Sequence, residues 1–139
     1  MGAGTRRNVL IDTVAWVRVE GGRVLCARPR GKDVFYVPGG KREGSESDLE
    51  TLVREIREEL SVRIDPATAV HAGTYEAAVP ELPAGAVVRM ACYTAEYAGE
   101  LAPSSEIEET AWFSYADRPR VPPVDRLLFD HLKRCGDLA

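Results

Sequence analysis

Between residues 47 and 60 the apolar positions Leu49, Leu52, Val53, Ile56 and Leu60 recur at i, i+3, i+4 and i+7 spacing, which predicts a helix with one buried stripe. Ser47 followed by Glu50 fits a capping box, in which hydroxyl and carboxylate each satisfy a backbone N–H that the first turn leaves without a partner. A second helix is predicted after Pro122-Pro123. Its apolar face is Val124, Leu127, Leu128 and Leu132, and Gly136 suits its end, just after Lys133 and Arg134. The rest reads as strands and turns. Residues 9–19 are rich in β-branched and aromatic side chains, and Glu20-Gly21-Gly22 turns the chain into Arg23-Val24-Leu25-Cys26-Ala27, so these stretches are expected to pair as the first hairpin. Residues 34–37 predict a short strand, broken by Pro38-Gly39-Gly40 where the backbone can take positive φ. Further strands are expected at 62–64, 71–79, 87–97 and 112–113, with loops at 80–85 and 103–109.

A chain of 139 residues has room for one core, so residues 1–139 are read as a single domain. Hydrophobic residues make up 45% and charged residues 29%, a soluble globule and not a disordered tail or a fibrous repeat. The net charge of -4 sets up no field for nucleic acid or an anionic membrane, so neither is expected as a partner. An acidic protein that binds phosphates needs cations to do so. Cys26, Cys92 and Cys135 are widely spaced, with neither the paired spacing of a zinc site nor the density of a disulfide scaffold. The first residues, MGAGTRRN, lack an apolar signal core, and the expectation is a cytoplasmic protein. The hairpin edges would allow a homodimer, although nothing in the sequence demands one.

The predicted helix carries an unusual edge. At about 100° per residue, Glu55, Glu58 and Glu59 share one edge adjoining the buried stripe. A surface helix stabilises itself with Lys or Arg four residues after Glu, whereas here Glu55 meets Glu59 at i+4 and Glu58 at i+3, like charges that oppose the helix. Arg54 lies between Glu50 and Glu58 and can hold one carboxylate, which leaves Glu55 and Glu59 without a local cation. Clustered carboxylate oxygens on a rigid helix are what Mg²⁺ or Mn²⁺ requires, with water and substrate phosphates completing the shell.

Gly40, five residues, Glu46, seven residues, then Arg54-Glu55-Ile56-Arg57-Glu58-Glu59-Leu60-Ser61-Val62 resembles the box of the MutT-like Nudix hydrolases, G-x5-E-x7-R-E-U-x-E-E-x-G-U. Every charged position matches, and Ser61 stands where the family has glycine. Residues 24–28 with Val37-Pro38-Gly39-Gly40, and Glu106-Ile107-Glu108-Glu109 before Trp112-Phe113, resemble further segments of that family. The resemblance implies an α/β fold, a Nudix-type α/β/α sandwich with a mixed β-sheet and a loop-helix-loop catalytic motif. It also implies metal-dependent cleavage of the diphosphate bond of a nucleoside triphosphate or nucleoside diphosphate derivative. By the same resemblance Glu55, Glu58 and Glu59, with the backbone of Gly40, hold Mg²⁺ or Mn²⁺, Arg54 orients a carboxylate, and Glu46 orders the loop or the metal water. Glu55 and Glu106 are the two candidates for general base. Arg28, Phe35, Gly39 and Gly40 are the candidates for contact with a nucleotide-type small-molecule substrate, and Tyr36 and Trp16 are further aromatic candidates for base stacking.

His71 and His131 belong to no ligand or nucleophile pattern and are read as structural, and Glu108 and Glu109 as a solvated loop. Substrate class is not legible around residues 77–80, where the family's marker residues are out of register; a nucleoside triphosphate is preferred, with a sugar-linked diphosphate next. The competing reading is a catalytically silent Nudix-like module that binds or senses a nucleotide. Such modules usually lose box acids, and Glu46, Glu55, Glu58 and Glu59 are all present.

Overall fold

The fold is given by a computed structural model that describes residues 10–83 and 85–139. Among the described residues, nine strands and two α-helices follow one another. The strands are β1 (Leu10–Trp16), β2 (Val19–Glu20), β3 (Arg23–Pro29), β4 (Gly39–Lys41), β5 (Arg63–Ile64), β6 (Val70–Ala78), β7 (Val87–Thr94), β8 (Tyr97–Ala98) and β9 (Ile107–Phe113). Helix α1 (Asp48–Leu60) lies between β4 and β5, and α2 (Pro123–Arg134) follows β9. Four strands form a mixed sheet in the order β4-β1-β7-β6, in which β1 and β7 run parallel; β2-β3-β9 and β5-β8 form two smaller sheets.

The carboxyl-terminal end of β1 and the middle of β3 are buried on both faces, at residues 14–16 and 24–27, and alternation along these strands decides which residue serves which helix. Val14, Trp16 and Leu25 pack with Leu52, Ile56 and Leu60 of α1. Ala15, Val24, Cys26 and Cys92 pack with Val124, Leu128, Phe129 and Leu132 of α2. Helix, sheet and helix are therefore stacked as an α/β/α sandwich.

Helix α1 matches its sequence reading closely. Ser47 accepts the Glu50 N–H at 3.1 Å, while the Glu50 carboxylate accepts the Ser47 N–H at 2.8 Å, the reciprocal pair expected of the capping box. Gly136 follows α2 with φ 80°, a left-handed position that glycine fills without strain.

Several expectations are corrected. Residues 10–16 do not pair with residues 23–27; Val9 lies outside the described residues. Strand β1 pairs along its whole length with β7, while β3 joins β9, so only Val19–Glu20 remains to make a short hairpin with β3. Residues 34–37 form no strand, only a single bridge between Tyr36 and Ala27. The expected strand at 87–97 is split into β7 and β8, because the backbone at Ala95 and Glu96 turns to other partners: Ala95 O accepts the Trp16 indole N–H at 3.1 Å, and Glu96 N–H donates to Thr68 Oγ1 at 2.9 Å. Strand β9 is longer than expected and takes in Glu108 and Glu109, which pair with Arg30 and Arg28 instead of lying in a solvated loop. In α2, Leu127 is 37% exposed and Phe129 takes its place in the core.

Candidate active site

Strand β4 leads from the sheet into the loop at residues 42–47 and so into α1, and this passage uses two glycines at close quarters. Gly39 has φ 150°, and a Cβ there would run into the backbone of Val14 and Ala15. At Gly40 a Cβ would run into the Glu55 carboxyl group. Both glycines thus let β4 lie directly against the sheet and against the acidic edge of α1.

Arg54 is the hub of that edge. Its Nε and Nη2 donate to the two oxygens of Glu46 at 2.7 and 2.9 Å, a bidentate pair, and its Nη2 also reaches Lys41 O at 3.1 Å. Its Nη1 donates to Glu55 Oε2 at 2.7 Å and to Glu58 Oε1 at 3.3 Å. Glu50, expected beside Arg54, is instead engaged in the cap, and Glu55 is not left without a cation. The Arg54 guanidinium and the Glu43 N–H hold the Glu46 carboxyl down at about 2, with the Thr51 hydroxyl adding a third bond. Burial raises the Glu55 carboxyl despite Arg54.

Glu59 has no such partner. Its Oε1 accepts the Gly39 N–H at 3.2 Å, and burial, reinforced by the charges of Glu55, Glu106 and Glu58, pushes its carboxyl up to about 8. It lies in the wall of a cavity of about 830 Å³, with Gly39, Gly40 and Glu106 also on that wall. Among the described residues the acids do not already converge as three on one point, since Arg54 draws Glu55 and Glu58 towards itself.

The structure therefore brings Glu59, Glu106, Gly39 and Gly40 to one cavity, with Arg54, Glu55 and Glu58 along the adjacent helix edge. Arg28 stands outside the cavity lining, its guanidinium on Glu109 Oε1 at 2.8 Å and on Lys32 O at 2.9 Å. Phe35 is only 3% exposed; its ring packs on Phe113 with centroids 4.8 Å apart and is covered by the Arg120 guanidinium at 5.0 Å, so it offers no face to a base. Trp16 is fully buried in the α1 core. Tyr36 does line the cavity.

The sequence reading missed Lys32, Arg120 and Asp125 on the cavity wall. Asp125 is buried, accepts the Val37 N–H at 2.8 Å through Oδ2, and is pushed up to about 7 by its burial. An acid in the first turn of a helix reads as an ordinary dipole partner, and only the bond to a residue 88 positions away distinguishes it.

The model of the NUDIX domain matches residues 10–132. The chain belongs to the Nudix family. Among curated Nudix relatives, an NAD-capped RNA hydrolase from Deinococcus radiodurans is 34% identical over 127 residues, covering 84% of this chain and 42% of that protein. An RNA pyrophosphohydrolase from Halorhodospira halophila is 46% identical over 43 residues, 31% of this chain and 24% of that one. The chain thus spans less than half the length of either. The fold matches the MutT protein of Methanosarcina mazei with a TM-score of 0.74 at 21% identity, covering 94% of this chain and 98% of that one. It matches the E. coli ORF135 protein with a TM-score of 0.72 at 24% identity, covering 97% and 96%. Among the described residues of this Nudix chain, no helix is long and apolar enough to cross a membrane.

Proposed function

We propose that this chain is a divalent-metal-dependent pyrophosphohydrolase that cleaves the diphosphate bond of a nucleoside triphosphate or of a nucleoside diphosphate derivative. One observation carries the reading: Glu59, a part-buried carboxyl with a single hydrogen bond among the described residues and three acidic neighbours, sits in the wall of a large cavity. An acid so placed either keeps a proton or meets a cation. The donor set is all oxygen, which suits Mg²⁺ or Mn²⁺. Glu55, Glu58 and Glu59, with the backbone at Gly40, would hold the cations, which when bound neutralise phosphate oxygens and make bound water more acidic. Arg54 fixes Glu46 and Glu55 in orientation and so keeps the loop on the helix. Glu55 and Glu106 are the two candidates to take a proton from an attacking water, Glu106 lying on the cavity wall. Lys32 and Arg120 supply positive charge on the same wall for phosphate groups, and Tyr36 an aromatic face.

Phosphate release over a panel of nucleoside triphosphates and sugar-linked diphosphates, each with Mg²⁺ and with Mn²⁺, tests the proposal. Because two relatives bear names of hydrolases acting on RNA, the panel includes RNA with a 5′-triphosphate and RNA with an NAD cap. Turnover of one class names the substrate. Tight nucleotide binding without release from any member favours the silent binding module instead.

A further inference from the structure

We infer that Ser61 is a positioning residue whose hydroxyl fixes the turn carrying Glu106 against the carboxyl end of α1; the catalytic consequence rests on the hydrolase reading above. Among the described residues only Ser61, with φ 65°, and Ser105, with φ 57°, hold positive φ without being glycine. One ladder of hydrogen bonds links them. Ala102 N–H donates to Leu60 O at 3.0 Å and Ser104 N–H to Glu59 O at 2.9 Å, so the loop satisfies two of the last carbonyls of α1. Ser61 Oγ donates in turn to Ala102 O at 3.1 Å. Ile107 N–H closes the next turn on Ser104 O at 3.1 Å, and Ser105 and Glu106 lie inside that turn.

From the other side Arg30 N–H donates to Glu106 O at 2.8 Å. The Glu106 backbone is therefore held between β3 and the end of α1. That matters because Glu59 and Glu106 line the same cavity and their charges interact. A displaced turn changes the distance between a metal-holding acid and a candidate base.

The bonds from Ala102, Ser104 and Ile107 are made by backbone, so any side chain at position 61 would leave their donors and acceptors in place. The Ser61 hydroxyl bond alone depends on residue identity. Glycine would adopt the left-handed backbone more readily, so serine at this position sacrifices conformational ease and obtains one bond to the Glu106 loop. Structural compensation and positioning make different predictions, because glycine removes the strain and the bond together.

The test compares Ser61→Gly, Ser61→Ala and Ser61→Asn in the full chain; asparagine tolerates the left-handed backbone and can donate through its amide. Amide hydrogen exchange is read in metal-free protein, and kcat and KM with Mg²⁺ on whichever panel substrate turns over. For Ser61→Gly the expectation is unchanged melting temperature, roughly tenfold lower protection at Ala102 and Ser104, and kcat reduced roughly three- to tenfold at constant KM, with Ser61→Asn restoring both. The inference is overturned if Ser61→Gly keeps wild-type protection and kcat. It is equally overturned if protection falls throughout α1 together with the melting temperature, since the hydroxyl then serves the helix and not the loop. Should the wild-type chain hydrolyse nothing, the hydrolase reading fails and the exchange comparison alone decides the brace.

Discussion

The Glu59 carboxylate and the Gly39 amide meet at 3.2 Å, which ties the inner end of the acidic edge of α1 to β4. That single donor does not offset the desolvation and the charges of Glu55, Glu106 and Glu58, which push the carboxyl up to about 8. Glu59→Gln keeps the shape and an acceptor for Gly39 while removing the charge. Mg²⁺-dependent turnover is expected to fall by at least about 100-fold, and the rise in melting temperature produced by Mg²⁺ is expected to shrink. Wild-type turnover at limiting Mg²⁺ would remove Glu59 from the cation set.

Arg54→Lys replaces a planar fork that grips both Glu46 oxygens with a point charge. Turnover is expected to drop about 10- to 100-fold with the fold intact. Circular dichroism checks the fold and Mg²⁺ titration the site; a lysine variant with unaltered metal affinity and rate would show that Glu46 does not need a bidentate partner.

Gly40→Ala adds one methyl group, directed at the Glu55 carboxyl. Expression and folding are expected to survive, because Glu55 is a flexible side chain that can swing away, while its loss from the site lowers kcat by about tenfold or more. A structure of the variant with Glu55 undisturbed would contradict this.

Asp125 links pH to stability. Its carboxyl holds a proton to about 7 when folded, whereas an unfolded Asp ionises near 3.9. Between those values the folded chain binds more protons than the unfolded one, so this contribution to stability is full below about pH 4 and disappears as the pH rises through 7. Asp125→Asn retains an acceptor for the Val37 N–H and lacks the titration. Urea denaturation from pH 4 to 8 is therefore expected to show the variant gaining on wild type as the pH rises; parallel curves would show that Asp125 does not titrate in that window.

Phe35→Ala and Tyr36→Ala separate core from cavity. Phe35 lies inside the α2 core, and its truncation is expected to cost about 3–5 kcal/mol. Tyr36 is partly exposed on the cavity wall, and its loss is expected to raise KM with a much smaller change in stability. A stable Phe35→Ala protein with a raised KM would restore Phe35 to the substrate site.

The elements legible in the sequence were those whose signals are local. The stripe from Leu52 to Leu60, the capping box at Ser47 and the glycine past α2 each depend on neighbours within a few residues, and each appears where expected. Pairing partners were not legible: residues 10–16 and 23–27 sit close in sequence, yet they join different sheets, through partners more than 70 positions away in β7 and β9. The same holds for the site. The spacing of the carboxylates marked the helix edge, but the bidentate role of Glu46, the isolation of Glu59 and the burial of Asp125 depend on contacts across 8, 20 and 88 positions. Phe35 is not assignable from sequence, because an aromatic in such a stretch looks the same whether its ring faces a ligand or Phe113.

The parallel match of β1 with β7 has a consequence for synthesis. Until Thr94 has left the ribosome, the amino-terminal strand can pair only with the three residues of β4 on one edge, and the other edge stays open. The nascent chain must therefore carry a seven-residue strand with one edge open until β7 follows it, which favours late, slow nucleation and exposes that edge to mispairing. Factors that hold extended chain are expected to act on this protein before β7 closes the sheet.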